Sequence, residues 1–293
     1  MRRHTVVLSL ALTLVAFSSC SDETGSPPTS VAPTDGATST GDASPGGSGG
    51  ASPDDGGNED AGDPPYPYEP SPANPAFQHA WGSSTLDCSM TVSEMSKATT
   101  VVVGTSSIHV GWAQVSGNNQ DPFIARVDNG AVAWCVAAEA QGPDGRAYGL
   151  AWDGGQTLYA VYTVVGGGTA LDGKGGWLDS YGSAGSGGNK TVSVIARHDP
   201  SNGSLIATTF VASQLESAMK VNSLSPRAMV VLPDGSVEFL GNPAFSPLNA
   251  DKTRMCVGGS EYPNGYRIRF SADLKQALCA DTTACSKVTA PCK

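Results

Sequence analysis

The residues able to do chemistry are few and widely spaced. After residue 20 the sequence holds six cysteines (Cys88, Cys135, Cys256, Cys279, Cys285 and Cys292) and three histidines (His79, His109 and His198). Six cysteines in an exported chain read as disulfides, with fifteen possible pairings. Cys285 and Cys292 bracket a short C-terminal segment and are the expected pair. Three cysteines within fourteen residues could also suggest a metal, but no Cys-x-x-Cys spacing or nearby His accompanies them, so neither metal nor cofactor is expected. The histidines show no i, i+4 or similar arrangement. His198 precedes Asp199 on a strand-like run, where neighbouring side chains point to opposite faces and cannot act as base and orienting carboxylate together. Gly-x-Ser-x-Gly and His-Glu-x-x-His are absent. Gly168 to Lys174 has the spacing of a phosphate-binding loop, yet Gly175 stands where the Mg²⁺-binding Ser or Thr belongs and more glycine follows instead of a helix. The segment reads as a mobile glycine-rich insertion in which Trp177 and Tyr181 are available to stack on a sugar or another protein.

Charge divides the 293 residues into three zones. Residues 1–20 carry only Arg2 and Arg3 among early bases, residues 21–75 hold ten acids and no Lys or Arg, and residues 76–293 hold seventeen acids against fifteen bases. The net charge of −10 therefore belongs to the middle zone. Without a clustered basic face, nucleic acid is not expected as a partner. Ten Gly and eleven Pro in residues 21–75, with almost no large apolar residue before Tyr66, make that zone a disordered, extended linker.

Arg2-Arg3, the thirteen-residue apolar run Thr5–Phe17 and the small residues Ser18-Ser19 before Cys20 are the parts of an export signal. The apolar run is shorter than the roughly 20 residues that span a bilayer. With its cysteine directly after the small residues, the segment resembles the bacterial lipoprotein signal, although Phe17 departs from the usual Leu or Val. The resemblance implies lipidation at Cys20, a membrane partner through that anchor, and, with Ser21 following, delivery to an outer membrane or the cell surface. A plain cleaved signal ending at Cys20 is the alternative.

From residue 76 onward the apolar runs are short, β-branched and bounded by Gly, Asn, Asp or Pro, which is the pattern of strands joined by tight turns. Phe123-Ile-Ala-Arg-Val-Asp128 returns as Val194-Ile-Ala-Arg-His-Asp199 and loosely as Tyr266-Arg-Ile-Arg-Phe-Ser271, so the domain is built of repeats. Turns are expected at Asn129-Gly130, Asp153-Gly154-Gly155, Asn202-Gly203 and Asp234-Gly235. Only Ser213–Met219 has helical character. Arg126, Arg197 and Arg269 share one repeat position and are expected to bond turn carboxylates such as Asp128 and Asp199. Paired with the Ala147–Tyr159 and Ala228–Phe239 segments, the repeats resemble the bacterial β-propeller families. The expected fold is all-β, with antiparallel four-stranded repeats in a divergent or partial propeller and a β-sandwich or open sheet as the alternative. Three repeats fall short of the four to eight blades of a closed ring. Either residues 77–95 add a divergent fourth, or the sheets stay open, or two chains complete the ring.

These features point to a tethered surface module that recognises an envelope glycan or protein, or serves as a scaffold. An exported propeller-type enzyme acting on polysaccharide or peptide is the alternative, and a purely structural envelope protein is a third reading.

Overall fold

The computed structural model describes residues 66–117, 119–138, 144–165, 171–181, 190–215, 220–257 and 263–293. The signal, Cys20 and linker residues 21–65 lie outside the described residues. β1 (Gln78–Trp81) and the one-turn helix α1 (Val92–Met95) precede β2 (Thr99–Val103), β3 (Ser106–Ser116), β4 (Asn119–Asp128) and β5 (Ala131–Ala137). Next come β6 (Gly145–Trp152), β7 (Leu158–Val165), β8 (Thr191–His198) and β9 (Leu205–Val211). Two short strands, β10 (Ser213–Gln214) and β11 (Val221–Asn222), lead to β12 (Leu224–Val231) and β13 (Val237–Pro243). β14 (Ser246–Pro247), β15 (Tyr266–Phe270) and β16 (Ala277–Thr282) complete the order.

The fold is all-β. Three antiparallel four-stranded sheets follow in chain order, β2-β3-β4-β5, β6-β7-β8-β9 and β12-β13-β15-β16, and β1 adds a fifth strand to the second by pairing with β6. β10, β11 and β14 form a small sheet of their own. The expected turns are present where tested by backbone angle: Asn129 and Gly130 both have positive φ, 50° and 77°, as a two-residue hairpin requires. α1 is held by a capping box between Thr91 and Glu94, whereas the described part of the segment expected to be helical, Ser213–Gln214, is strand.

The second sheet is buried on both faces, which explains why β7, Leu-Tyr-Ala-Val-Tyr-Thr-Val-Val, reads as one continuous apolar run. Alternate residues of its strands diverge. Leu158, Ala160, Tyr162, Val194 and Phe210 pack with Val101, Ile108, Val110 and Ile124 of the first sheet. Tyr159, Val161, Ile195 and Val211 pack with Val231, Phe239, Ile268 and Phe270 of the third. The repeat position is real. Ile124 pairs with Val110 and Ile195 with Val161, and each isoleucine is fully buried against the following sheet. In the third sheet the corresponding residue, opposite Leu240, is Arg267, and the stack stops there. The far face of the first sheet is closed by Leu86, Met95 and Ala98 packing on Phe123, Ala125 and Val127.

What covers the far face of the third sheet corrects the expected domain boundary. The linker was expected to run to residue 75, yet from Tyr66 the chain lies on the fold. Tyr66 Oη donates to the carbonyls of Gly241 and Tyr266, at 3.1 and 3.0 Å. The Arg267 guanidinium lies 4.7 Å over the Tyr68 ring and donates to the Glu69 carbonyl. Ser71 donates its backbone N–H and its hydroxyl to the two oxygens of Glu238, both at 2.8 Å. Glu238 is fully buried and also accepts from Arg269, at 3.1 Å. The strap then bonds β12 through Asn74 N–H to the Val231 carbonyl and through His79, whose Nε2 accepts the Val231 N–H. It joins the second sheet as β1, and reaches the first by a bridge from Thr85 to Trp112. Residues 77–95 thus supply one added strand and a cap, not a fourth sheet. One segment ties all three sheets together.

Candidate functional site

The disulfides are Cys88–Cys135, Cys256–Cys285 and Cys279–Cys292. All six cysteines are used, and the expected Cys285–Cys292 bond is not formed. Cys285 reaches back 29 residues to Cys256, because the chain after β16 first passes the loop that follows β14, where Lys287 N–H bonds the Met255 carbonyl, and only then returns to β16 through Cys292 and Ala290.

The three histidines are held as neutral imidazoles. His198 Nδ1 donates to the Gly203 carbonyl, which leaves Nε2 to accept from the Tyr162 hydroxyl at 2.9 Å. Burial lowers His198 to a pKa of about 4 and pushes the Tyr162 hydroxyl upward. His109 offers the one serine–histidine contact among the described residues. Ser107 Oγ is 2.8 Å from its Nε2, and Thr100 Oγ1, whose proton goes to the Ala98 carbonyl, is 2.7 Å from Nδ1. A nucleophile–base pair needs an orienting group that stabilises imidazolium, and a hydroxyl does not do so. His109 is also only 2 % exposed, and burial lowers its pKa. This trio joins β2 to β3.

The repeat arginines are structural in two of three positions. Arg126 pairs with Asp128 at 2.8 Å and donates to the Pro200 carbonyl, which also accepts from Trp134 Nε1. Arg269 bonds Glu238 instead of a turn carboxylate. Arg197 does not meet Asp199, whose carboxylate accepts from the Ser201 N–H and hydroxyl.

Trp177 and Tyr181, expected in a mobile binding loop, belong to the core. Trp177 is 5 % exposed, its ring lies 5.7 Å from Phe270, and Tyr181 packs edge-on against Phe210 at 4.7 Å. The described part of the insertion, residues 171–181, runs along β9. Thr208 Oγ1 donates to the Leu171 carbonyl and Phe210 N–H to that of Leu178. Gly176 makes the approach possible, since a Cβ there would overlap the Thr208 carbonyl.

The indole N–H of Trp177 donates to the Ala250 carbonyl at 2.8 Å, and this bond leads to a site the sequence did not disclose. The turn Asn249–Thr253 is held from below by that bond and by Tyr266 Oη on the Leu248 carbonyl, 2.6 Å. Laterally, the buried Asn249 amide spans two segments. Its Nδ2 donates to Thr253 Oγ1 and to the Lys287 carbonyl, and its Oδ1 accepts from the Thr289 N–H. Lys287 N–H in turn donates to the Met255 carbonyl, beside the Cys256–Cys285 bridge. The turn and the C-terminal segment so joined border an open surface cavity of about 610 Å³, within the usual size of a small-ligand site. Lys252, Arg254 and Lys287 line it, with Thr253 and the apolar Val257 and Val288.

Among the described residues none of these three cations has an ion pair, and the buried Nε of Arg254 has no hydrogen-bond partner. The neighbouring acid, Asp251, is committed to its own turn. It accepts from the Thr253 N–H and hydroxyl, which hold its carboxyl below the usual carboxylate range. Lys252 has a φ of 67°, a left-handed conformation that favours Gly or Asn. The arrangement presents positive charge and donors around an apolar hollow, and so can bind an oxyanion. No cluster of His, Cys, Asp or Glu suited to a metal ion occurs among the described residues. Asp251-Lys252-Thr253-Arg254 was the available sequence signal, but Lys287 comes beside it through the Cys256–Cys285 bridge and the Asn249 and Met255 hydrogen bonds, which spacing did not indicate. Comparison of the chain with family models, curated proteins and solved structures finds no match.

Proposed function

We propose that this protein is a membrane-tethered envelope lipoprotein whose β domain recognises a ligand rather than transforming it. Residues 1–20 read as a signal with Cys20 as the lipidation site, and the acidic linker as a tether holding the domain away from the membrane. The three sheets fit an open, three-unit variant of the propeller plan, with the strap of residues 66–86 in place of ring closure. The observation that carries the recognition reading is the cavity at Lys252, Arg254 and Lys287. It is preorganised by Asn249, Trp177 and a disulfide, and lined by cations that, among the described residues, have neither an ion pair nor a nucleophile–base pair beside them. Two measurements test it. Cys20→Ala should move the protein from the membrane fraction to the soluble one, and a wild-type protein that partitions wholly into the aqueous phase of a detergent separation ends the anchor reading. The detergent-solubilised full chain should bind, without altering it, at least one component of an envelope polysaccharide and peptide array. Turnover of a bound component, or an array without a single binder, refutes recognition.

A further inference from the structure

The cavity itself indicates a ligand class. We infer that Lys252, Arg254 and Lys287 form a subsite for an acidic polysaccharide, a deduction that rests on the recognition reading above. Three positive side chains around one hollow repel one another, and a single carboxylate would compensate only one of them. An occupant bearing several negative charges at intervals relieves all three. The lysines are exposed while Arg254 is half-buried, so the charges are graded from rim to wall. Arg254 lines the hollow, and its planar guanidinium suits the two oxygens of a carboxylate or sulfate better than an ammonium does. The remaining wall, Val257 and Val288 with the disulfide, offers an apolar surface to the C–H face of a sugar ring. Nucleic acid is also a polyanion, but its bases call for aromatic stacking platforms, and among the described residues no aromatic side chain lines this cavity.

Lys252 adds an independent argument. A lysine kept at a φ of 67° strains the turn, whereas glycine there would be free of strain. Lys252 lines the cavity, so contact of its ammonium with an occupant would offset that strain.

The test uses the full chain and four probes: polygalacturonate, dextran sulfate, neutral dextran and a single-stranded oligonucleotide. The wild type should bind one or both acidic polysaccharides and neither of the others, with affinity falling as salt rises. Arg254→Gln and Lys287→Gln should each weaken binding by up to about fivefold, with Arg254→Lys recovering part of the loss. Lys252→Gly should weaken binding while leaving the thermal midpoint unchanged or higher, which separates ligand contact from folding. Equal binding to the oligonucleotide would mean unspecific electrostatics and overturn the assignment. So would polysaccharide binding that none of these variants changes, though recognition would then stand at another site. Failure to bind either polysaccharide overturns the ligand class, while the envelope array decides recognition separately.

Discussion

Replacing Trp177 by alanine tests at once whether the insertion is core and whether the core holds the cavity. Read from sequence, Trp177 is a loop residue and its loss would change stability by less than about 0.5 kcal/mol, as surface substitutions do. In the fold it is 5 % exposed against Phe270, and its N–H is spent on the Ala250 carbonyl. An aromatic side chain burying about 200 Å² at roughly 25 cal/mol per Å² is worth about 5 kcal/mol, and its hydrogen bond about 1 more. Partial collapse of the cavity left behind reduces the loss, so Trp177→Ala should cost about 4 kcal/mol, within the range of buried aromatic truncations. Trp177→Phe keeps most of the packing but leaves the Ala250 carbonyl unpaired, and should cost about 1–2 kcal/mol. Urea denaturation followed by circular dichroism gives both values. Because Tyr266 still holds Leu248, the folded Phe variant should retain the turn with a looser Lys252–Arg254 segment. Faster amide exchange at residues 249–254 than in the wild type is therefore expected. A Trp177→Ala protein as stable as the wild type would refute the burial and with it the account of how the cavity is positioned.

Acid should destabilise the fold before its carboxylates titrate. His198 is lowered from 6.5 to about 4 by burial, so the unfolded chain binds the extra proton between those values. Stability present above pH 6.5 is then lost progressively down to about pH 4. The loss is about 3 kcal/mol, and His79 and His109 shift in the same direction. Denaturation midpoints that are flat across pH 7 to 4 would contradict it. Glu238→Ala should cost about 3 kcal/mol by leaving Arg267 and Arg269 on a largely buried face without their shared partner. It should also open a protease site between Tyr66 and Asn74, and a strap as resistant as in the wild type would count against its docking through Glu238.

The sheets were legible because strand alternation, hairpin turns and a repeated Ile-Ala-Arg segment are local signals, and Ile124 and Ile195 occupy equivalent buried positions as the repeat implies. The end of the stack was also written in the chain. Arg267 stands where an isoleucine would face a further sheet, but that meaning emerges only once the register with Leu240 is known. Trp177 was misread because glycine around it signals a loop, whereas Gly176 is there to let the segment approach Thr208. The strap was missed because its proline and acid content matches the linker, and its few anchors, Tyr66, Tyr68 and Ser71, act through partners more than 160 residues away. The cavity depends on Cys256–Cys285 and on Asn249 reaching Lys287, contacts that no local pattern encodes.

The strap also imposes an order on the birth of the molecule. Its residues leave the ribosome before any of the three sheets, yet the groups that receive them, Gly241, Glu238 and Tyr266, belong to the last sheet to be made. Each meander can close from neighbouring residues, while strap docking must bridge separations of up to 200 residues and is the slow, high-contact-order event. Until it occurs, the free edge of β6 and the charged face of the third sheet are bare, and an unpaired edge invites pairing with another chain. The interval between threading the first anchor and completing the third sheet is therefore the period of greatest exposure to aggregation and proteolysis.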